Sequence, residues 1–125
     1  MKLIIAGSRG FTDLALLKTE VFSFLDAHQN NFDSQITIIC GMARGADLMG
    51  KELAECNDWN VIKMPADWDR FGKSAGYRRN EEMAKIADAC IIFWDGESKG
   101  SLHMQNLAKE YNLILRVVKY NENLA

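Results

Sequence analysis

Five short apolar runs, the first four each followed by a stretch with helical spacing, limit this chain more than any other feature. They are KLIIAG (Lys2–Gly7), ITIICG (Ile36–Gly41), WNVIKM (Trp59–Met64), ACIIFW (Ala89–Trp94) and LILRVVKY (Leu113–Tyr120). Each is continuously apolar rather than alternating, as strands covered on both faces are. After the first run, Leu14, Leu17, Val21 and Leu25 recur at helical spacing over Asp13–His28, and Thr12 or Asp13 can cap that helix. Further helices are predicted over Arg44–Cys56, Tyr77–Ala87 and Ser101–Tyr111. Pro65, the single proline, ends the third run and opens a polar loop over 66–76, long for a compact α/β domain.

This alternation predicts an α/β fold with a five-stranded parallel sheet and helices on both faces. Right-handed crossovers leave few topologies, of which the strand order 3-2-1-4-5 is expected. That order reverses between strands one and four, and open α/β sheets bind ligands in the crevice beyond the strand ends at such a point. The loops GSRGF and DGESKGS leave those two strands, so the topology places them side by side. A length of 125 residues, 48% of them hydrophobic, suits one domain over 1–120 with a short tail over 121–125.

Charge excludes little but favours little. The formal net charge is -2 with 26% charged residues, so nothing global attracts nucleic acid or a membrane surface. Cys40, Cys56 and Cys90 have no CxxC spacing and read as reduced structural thiols, which suits the cytoplasm. No basic-then-apolar leader opens the chain and no apolar run could span a bilayer, so a soluble cytoplasmic protein is expected.

Four loops carry the candidate chemistry. In the first, Gly7 and Gly10 allow close backbone approach, Ser8 offers a hydroxyl, Arg9 a donor fork, and Phe11 closes the segment. A strand-to-helix turn with a surface arginine is the alternative. In GMARGAD, Gly41, Ala43, Arg44 and Gly45 precede a helix whose unpaired N–H groups and dipole favour an anion. Asp47 in that first turn can bind ligand or merely answer the dipole. In the third loop, Asp95, Gly96, Ser98, Lys99, Gly100 and Ser101 suit a phosphate or diphosphate, with Ser101 able to cap the next helix. In PADWDRFGKSAGYRRNEEM, Trp68, Phe71 and Tyr77 interleave with Arg70, Lys73, Arg78 and Arg79, a pattern suited to a lid over a base and phosphates. Asp67 and Asp69 are candidate Mg²⁺ ligands through two carboxylates plus phosphates, with solvated loop charges the alternative.

Several chemistries are set aside. Neither a Walker loop nor GxGxxG is present. No Ser-His-Asp order, Cys-His pair or zinc spacing occurs. His28 is expected exposed, and His103 is expected near the third loop.

Taken in order, GSRGF, GMARGAD, PADW, GYRRNEEM and FWDGESKGSLHM resemble the SLOG superfamily, which unites DprA (Smf) with the LOG phosphoribohydrolases. The branch they are most similar to is that of the small YspA-like, YpsA-related proteins. The resemblance covers Lys2 to about Lys119. It implies a Rossmann-like fold that binds a nucleotide or nucleotide-derived ligand, for sensing or sequestration. It leaves two alternatives: hydrolysis of the N-glycosidic bond of a nucleoside monophosphate, as in LOG enzymes, and single-stranded DNA binding, as in DprA. It also implies a homodimer or higher homo-oligomer. Against the LOG motif MHERKxxM, Arg79 holds the position of the catalytic arginine and Asn80 replaces the lysine. Against PGGxGTxxE, Gly100 and Ser101 fall at the glycine-threonine step, and Met104 stands where the glutamate would be. A thioether cannot stabilise the cationic sugar of glycosidic cleavage, so hydrolysis would need Glu81, Glu82, Glu97 or Asp95 in that part.

Overall fold

A computed structural model describes residues 1–28 and 35–120, so the expected tail over 121–125 lies outside the described residues. The strands are β1 (Lys2–Gly7), β2 (Thr37–Cys40), β3 (Asn60–Lys63), β4 (Ala89–Trp94) and β5 (Ile114–Lys119). The helices are α1 (Leu14–His28), α2 (Ala46–Cys56), α3 (Trp68–Phe71), α4 (Ala75–Ile86) and α5 (Lys99–Glu110). All strand pairs are parallel, in the order β3-β2-β1-β4-β5, as the alternation predicts.

Strand periodicity divides the core in two. Leu3, Ile5, Ile38, Ile91 and Phe93 pack with Leu17, Val21 and Phe24 of α1 and with Ala46, Leu53 and Ala54 of α2. Ile4, Ala6, Ile39, Cys90 and Ile92 pack with Met83 and Ala84 of α4 and with Met104, Leu107 and Ala108 of α5. Successive residues of β1 and β4 thus serve opposite layers, which is why both runs are apolar throughout. After β3 the chain crosses back over β2 and β1 to β4, taking α4 to the second layer. The crossing opens the crevice at the ends of β1 and β4.

Two boundaries differ from the periodicity. The stretch expected as a loop over 66–76 contains α3 and a single 3-10 turn, Gly72–Ser74, and α4 starts at Ala75. Asp67 makes α3 possible, since its Oδ1 accepts from Arg70 N at 3.1 Å. α5 starts at Lys99, so Ser101 lies inside its first turn instead of capping it. The cause is Asp95, whose Oδ1 accepts from Glu97 N and Ser98 N, both at 2.8 Å, and turns the chain early. Asp13 does cap α1, accepting from Leu16 N at 3.0 Å.

Candidate functional site

The loops after β1 and β4 are stitched together at their roots. Gly7 is the last β1 residue in register, opposite Phe93. Ser8 N donates to Phe93 O at 2.9 Å, and Ser8 Oγ accepts from Asp95 N at 3.1 Å. Ser8 is buried and its hydroxyl is committed to joining the loops. The N–H groups of Ser98 and Glu97, with the Ser8 hydroxyl, hold the Asp95 carboxyl below its usual range. Asp95 therefore stays ionised at neutral pH and keeps the second loop folded.

Above these roots lies a cleft of about 620 Å³, within the range of small-molecule sites. Gly7, Ser8 and Arg9 line it from β1, and Ala43 and Asp47 from the start of α2. Asp95, Ser98, Gly100 and Ser101 line it from the β4–α5 loop. Trp68, Tyr77, Arg79 and Asn80 line it from α3 and α4. Trp68 and Tyr77 are 50% and 44% exposed, unusually open for large aromatics. His103 stacks edge-on against Tyr77 with centroids 4.5 Å apart, which steadies that ring.

Asp47, Arg79 and Asn80 of the cleft wall belong to a polar cluster that extends behind it to Gly41. Arg79 Nη1 donates to Gly41 O, and Arg79 Nε donates to Asn80 Oδ1 at 2.9 Å. Asn80 Nδ2 donates to Gly100 O at 3.4 Å and lies 3.3 Å from His103 Nδ1, tying α4 to α5. Burial holds the His103 ring below its ordinary pKa, so the neutral ring can accept at Nδ1. Asp47 is only 4% exposed, and its Oδ2 accepts from Ala43 N at 3.4 Å. A Cβ on Gly41 would sit 2.7 Å from Asp47 Oδ2 and 2.9 Å from Arg79 Nη1, so only a residue without a side chain leaves room for both groups here. Burial pushes the Asp47 carboxyl up to about 6, with Arg79, the Ala43 and Gly7 N–H groups and Arg9 pulling against it. The same burial lowers the Arg79 pKa.

A test follows from the sign of the Asp47 shift. The folded-state value of about 6 lies above the ordinary 3.8, so the protonated form favours folding. That contribution is full below the unfolded value and is lost as pH rises through about 6. The stability of Asp47→Asn relative to wild type should therefore rise by about 2 kcal/mol between about pH 4.5 and about pH 7.5. Urea midpoints at both pH values measure it, and a flat difference would contradict the buried placement.

Some predicted residues lie elsewhere. Phe11 is buried in the core, its ring 4.8 Å from those of Phe93 and Tyr120. Arg44 faces a separate depression with Phe11, Leu48, Met49 and Glu52, which Arg9 also borders. Gly41 and Gly45 serve loop packing: a Cβ on Gly45 would lie 2.5 Å from Ser8 O. Gly96 adopts φ 88° against the Lys119 side chain, and Lys99 is exposed and outside the cleft lining. Phe71 lies between Arg70 and Arg78, with guanidinium-to-ring distances of 4.9 and 4.5 Å, in a neighbouring hollow. Asp67 caps α3 and Asp69 is exposed. Among the described residues, no group of three or more His, Cys, Asp or Glu side chains could hold a metal. The cleft also takes in Gly10 and Lys73 from the predicted loops, and Ala6, Gly76 and Met83, which loop chemistry alone does not single out. Met104 joins Met83 in its lining and is 1% exposed. The spacing of Met104 with Leu107, Ala108 and Tyr111 accounts for its burial but not for its meeting a cleft.

A family model described as the YspA, cpYpsA-related SLOG family matches residues 1–71, the span from β1 through α3. The chain is 30% identical over 119 residues to the Gene 61 protein of Mycobacterium phage D29, a match spanning 87% of this chain and 89% of that protein. No solved structure matches. No helix among the described residues is long and apolar enough to cross a membrane.

Proposed function

Because the chain belongs to the YspA, cpYpsA-related SLOG family, we propose that it binds a nucleotide or nucleotide-derived ligand in the cleft beyond β1 and β4. The observation that carries this reading is the start of α5. Ser101 is 5% exposed, lines the cleft, and its hydroxyl has no hydrogen-bond partner among the described residues. The first α-helical bond of α5 is Leu102 N to Ser98 O, so the N–H groups of Lys99, Gly100 and Ser101 precede it. Such an end favours a phosphate, and Gly100 leaves its approach open, with nothing within 4 Å of an added Cβ. Arg9, Lys73 and Arg79 supply positive charge around the same cleft, and Trp68 and Tyr77 supply faces for a base.

Binding without cleavage fits this lining best. The position that the LOG resemblance gives to a glutamate is the buried thioether of Met104, which neither polarises water nor stabilises a cationic sugar. Calorimetric titration with AMP, ADP-ribose, NAD and cyclic nucleotides should give at least one dissociation constant below about 1 mM. AMP incubated with the protein should be recovered without free adenine. If no nucleotide of the panel binds, the proposed function fails; if adenine accumulates, the hydrolase reading replaces it.

A further inference from the structure

Two carboxylates line the cleft, Asp47 and Asp95. Asp95 is committed, since its Oδ1 takes the N–H groups of Glu97 and Ser98. Asp47 is different. It is almost fully buried, its Oδ2 accepts a long bond from Ala43 N at 3.4 Å with the Gly7 N–H also near the carboxylate, and it forms no ion pair with Arg79 among the described residues. Arg79 gives Nη1 to Gly41 O and Nε to Asn80 Oδ1, which leaves Nη2 for a ligand, and Gly41 leaves room for Arg79 and Asp47 to lie near each other without pairing. The cleft thus holds one buried carboxylate with acceptor capacity to spare, beside the cationic donors Arg9, Lys73 and Arg79.

A nucleotide offers few donors to such an acceptor. Its phosphate and most of its base edge accept, so a carboxylate facing the phosphate would repel it. The start of α5 suits the phosphate, and the exposed rings of Trp68 and Tyr77 on α3 and α4 suit the base. What remains between them is the sugar, whose hydroxyls donate. A hydroxyl on a buried carboxylate is a charge-assisted bond, and dinucleotide-binding sheets use a carboxylate on ribose in this way. We infer that Asp47 reads the sugar, accepting the ribose cis-diol of the bound nucleotide, so that the cleft takes ribonucleotides and discriminates against deoxyribonucleotides. The inference rests on the nucleotide-binding reading above and assigns its sugar specificity.

AMP, 2′-deoxy-AMP and 3′-deoxy-AMP, titrated separately into wild-type protein and Asp47→Asn, test it. In wild type, loss of either hydroxyl should weaken binding about 10- to 100-fold, the range of a hydrogen bond to a charged group. In Asp47→Asn, AMP should weaken and the three ligands should converge to within about threefold. Unfolding in urea reports whether the variant is folded; if it is not, the wild-type comparison alone decides. Equal affinity of wild type for all three ligands would overturn the sugar reading and leave nucleotide binding standing. Preference for AMP that survives intact in a folded Asp47→Asn would also overturn it. If AMP does not bind, the sugar inference falls together with the binding proposal for this nucleotide.

Discussion

Gly45→Ala should destabilise the fold by about 3–5 kcal/mol, enough to unfold much of a domain of ordinary stability. Two costs combine. Gly45 has φ 88°, a conformation that costs an L-residue about 1–2 kcal/mol. Its new Cβ would also lie 2.5 Å from Ser8 O and 2.9 Å from Arg9 O. Both neighbours are backbone, and Ser8 is pinned to Phe93 and Asp95, so the loop cannot yield locally. Relief requires moving α2 away from β1, which opens the first core layer at Ala46. Gly100→Ala is the matched control, because nothing lies within 4 Å of its added methyl and the position is helical. Its urea midpoint should stay within about 0.5 kcal/mol of wild type or rise. Similar midpoints for the two variants would show that the β1 and β2 loops do not approach as closely as described.

Arg79→Ala should weaken nucleotide binding by about 30- to 100-fold, the loss of one or two charge-assisted hydrogen bonds. It also removes the donors to Gly41 O and Asn80 Oδ1 and the main charge offsetting Asp47. The Asp47 carboxyl should then titrate above its present value of about 6, and the variant should lose further stability as pH rises past that value. Arg79→Lys keeps a charge but not the planar fork that spans both partners, so it should recover part of the binding only. Calorimetry measures the affinities, and urea midpoints over pH measure the coupling to Asp47. A binding constant unchanged in Arg79→Ala would remove this residue from the ligand's surroundings.

Much of the cleft lining is legible along the chain because topology brings loop roots together. Ser8, Asp95, Gly100 and Ser101 sit beside strand ends whose adjacency follows from the strand order, and they line the cleft. Other residues of the same loops turn elsewhere. Phe11 covers the end of the first core layer against Phe93 and Tyr120, because a buried aromatic gains more there than over a wet cleft. Arg44 and Lys99 neighbour glycines and helix starts, yet neither reaches the cleft. Residue type names a loop's chemistry, whereas backbone geometry decides which of its side chains faces inward.

The division between the two sources of information is physical. Apolar runs, helical spacing and the handedness of crossovers act within elements or between whole elements, so the amino-acid order alone is enough to establish the parallel sheet and its reversal between β1 and β4. The charged cluster is another matter. It depends on Arg79 reaching back 38 residues to Gly41 and on that glycine leaving room for both the arginine and Asp47. No periodicity carries those relations, because they arise from where side chains end after α4 has packed across the sheet. The burial of Asp47, its raised pKa and its spare acceptor capacity therefore belong to the tertiary structure alone.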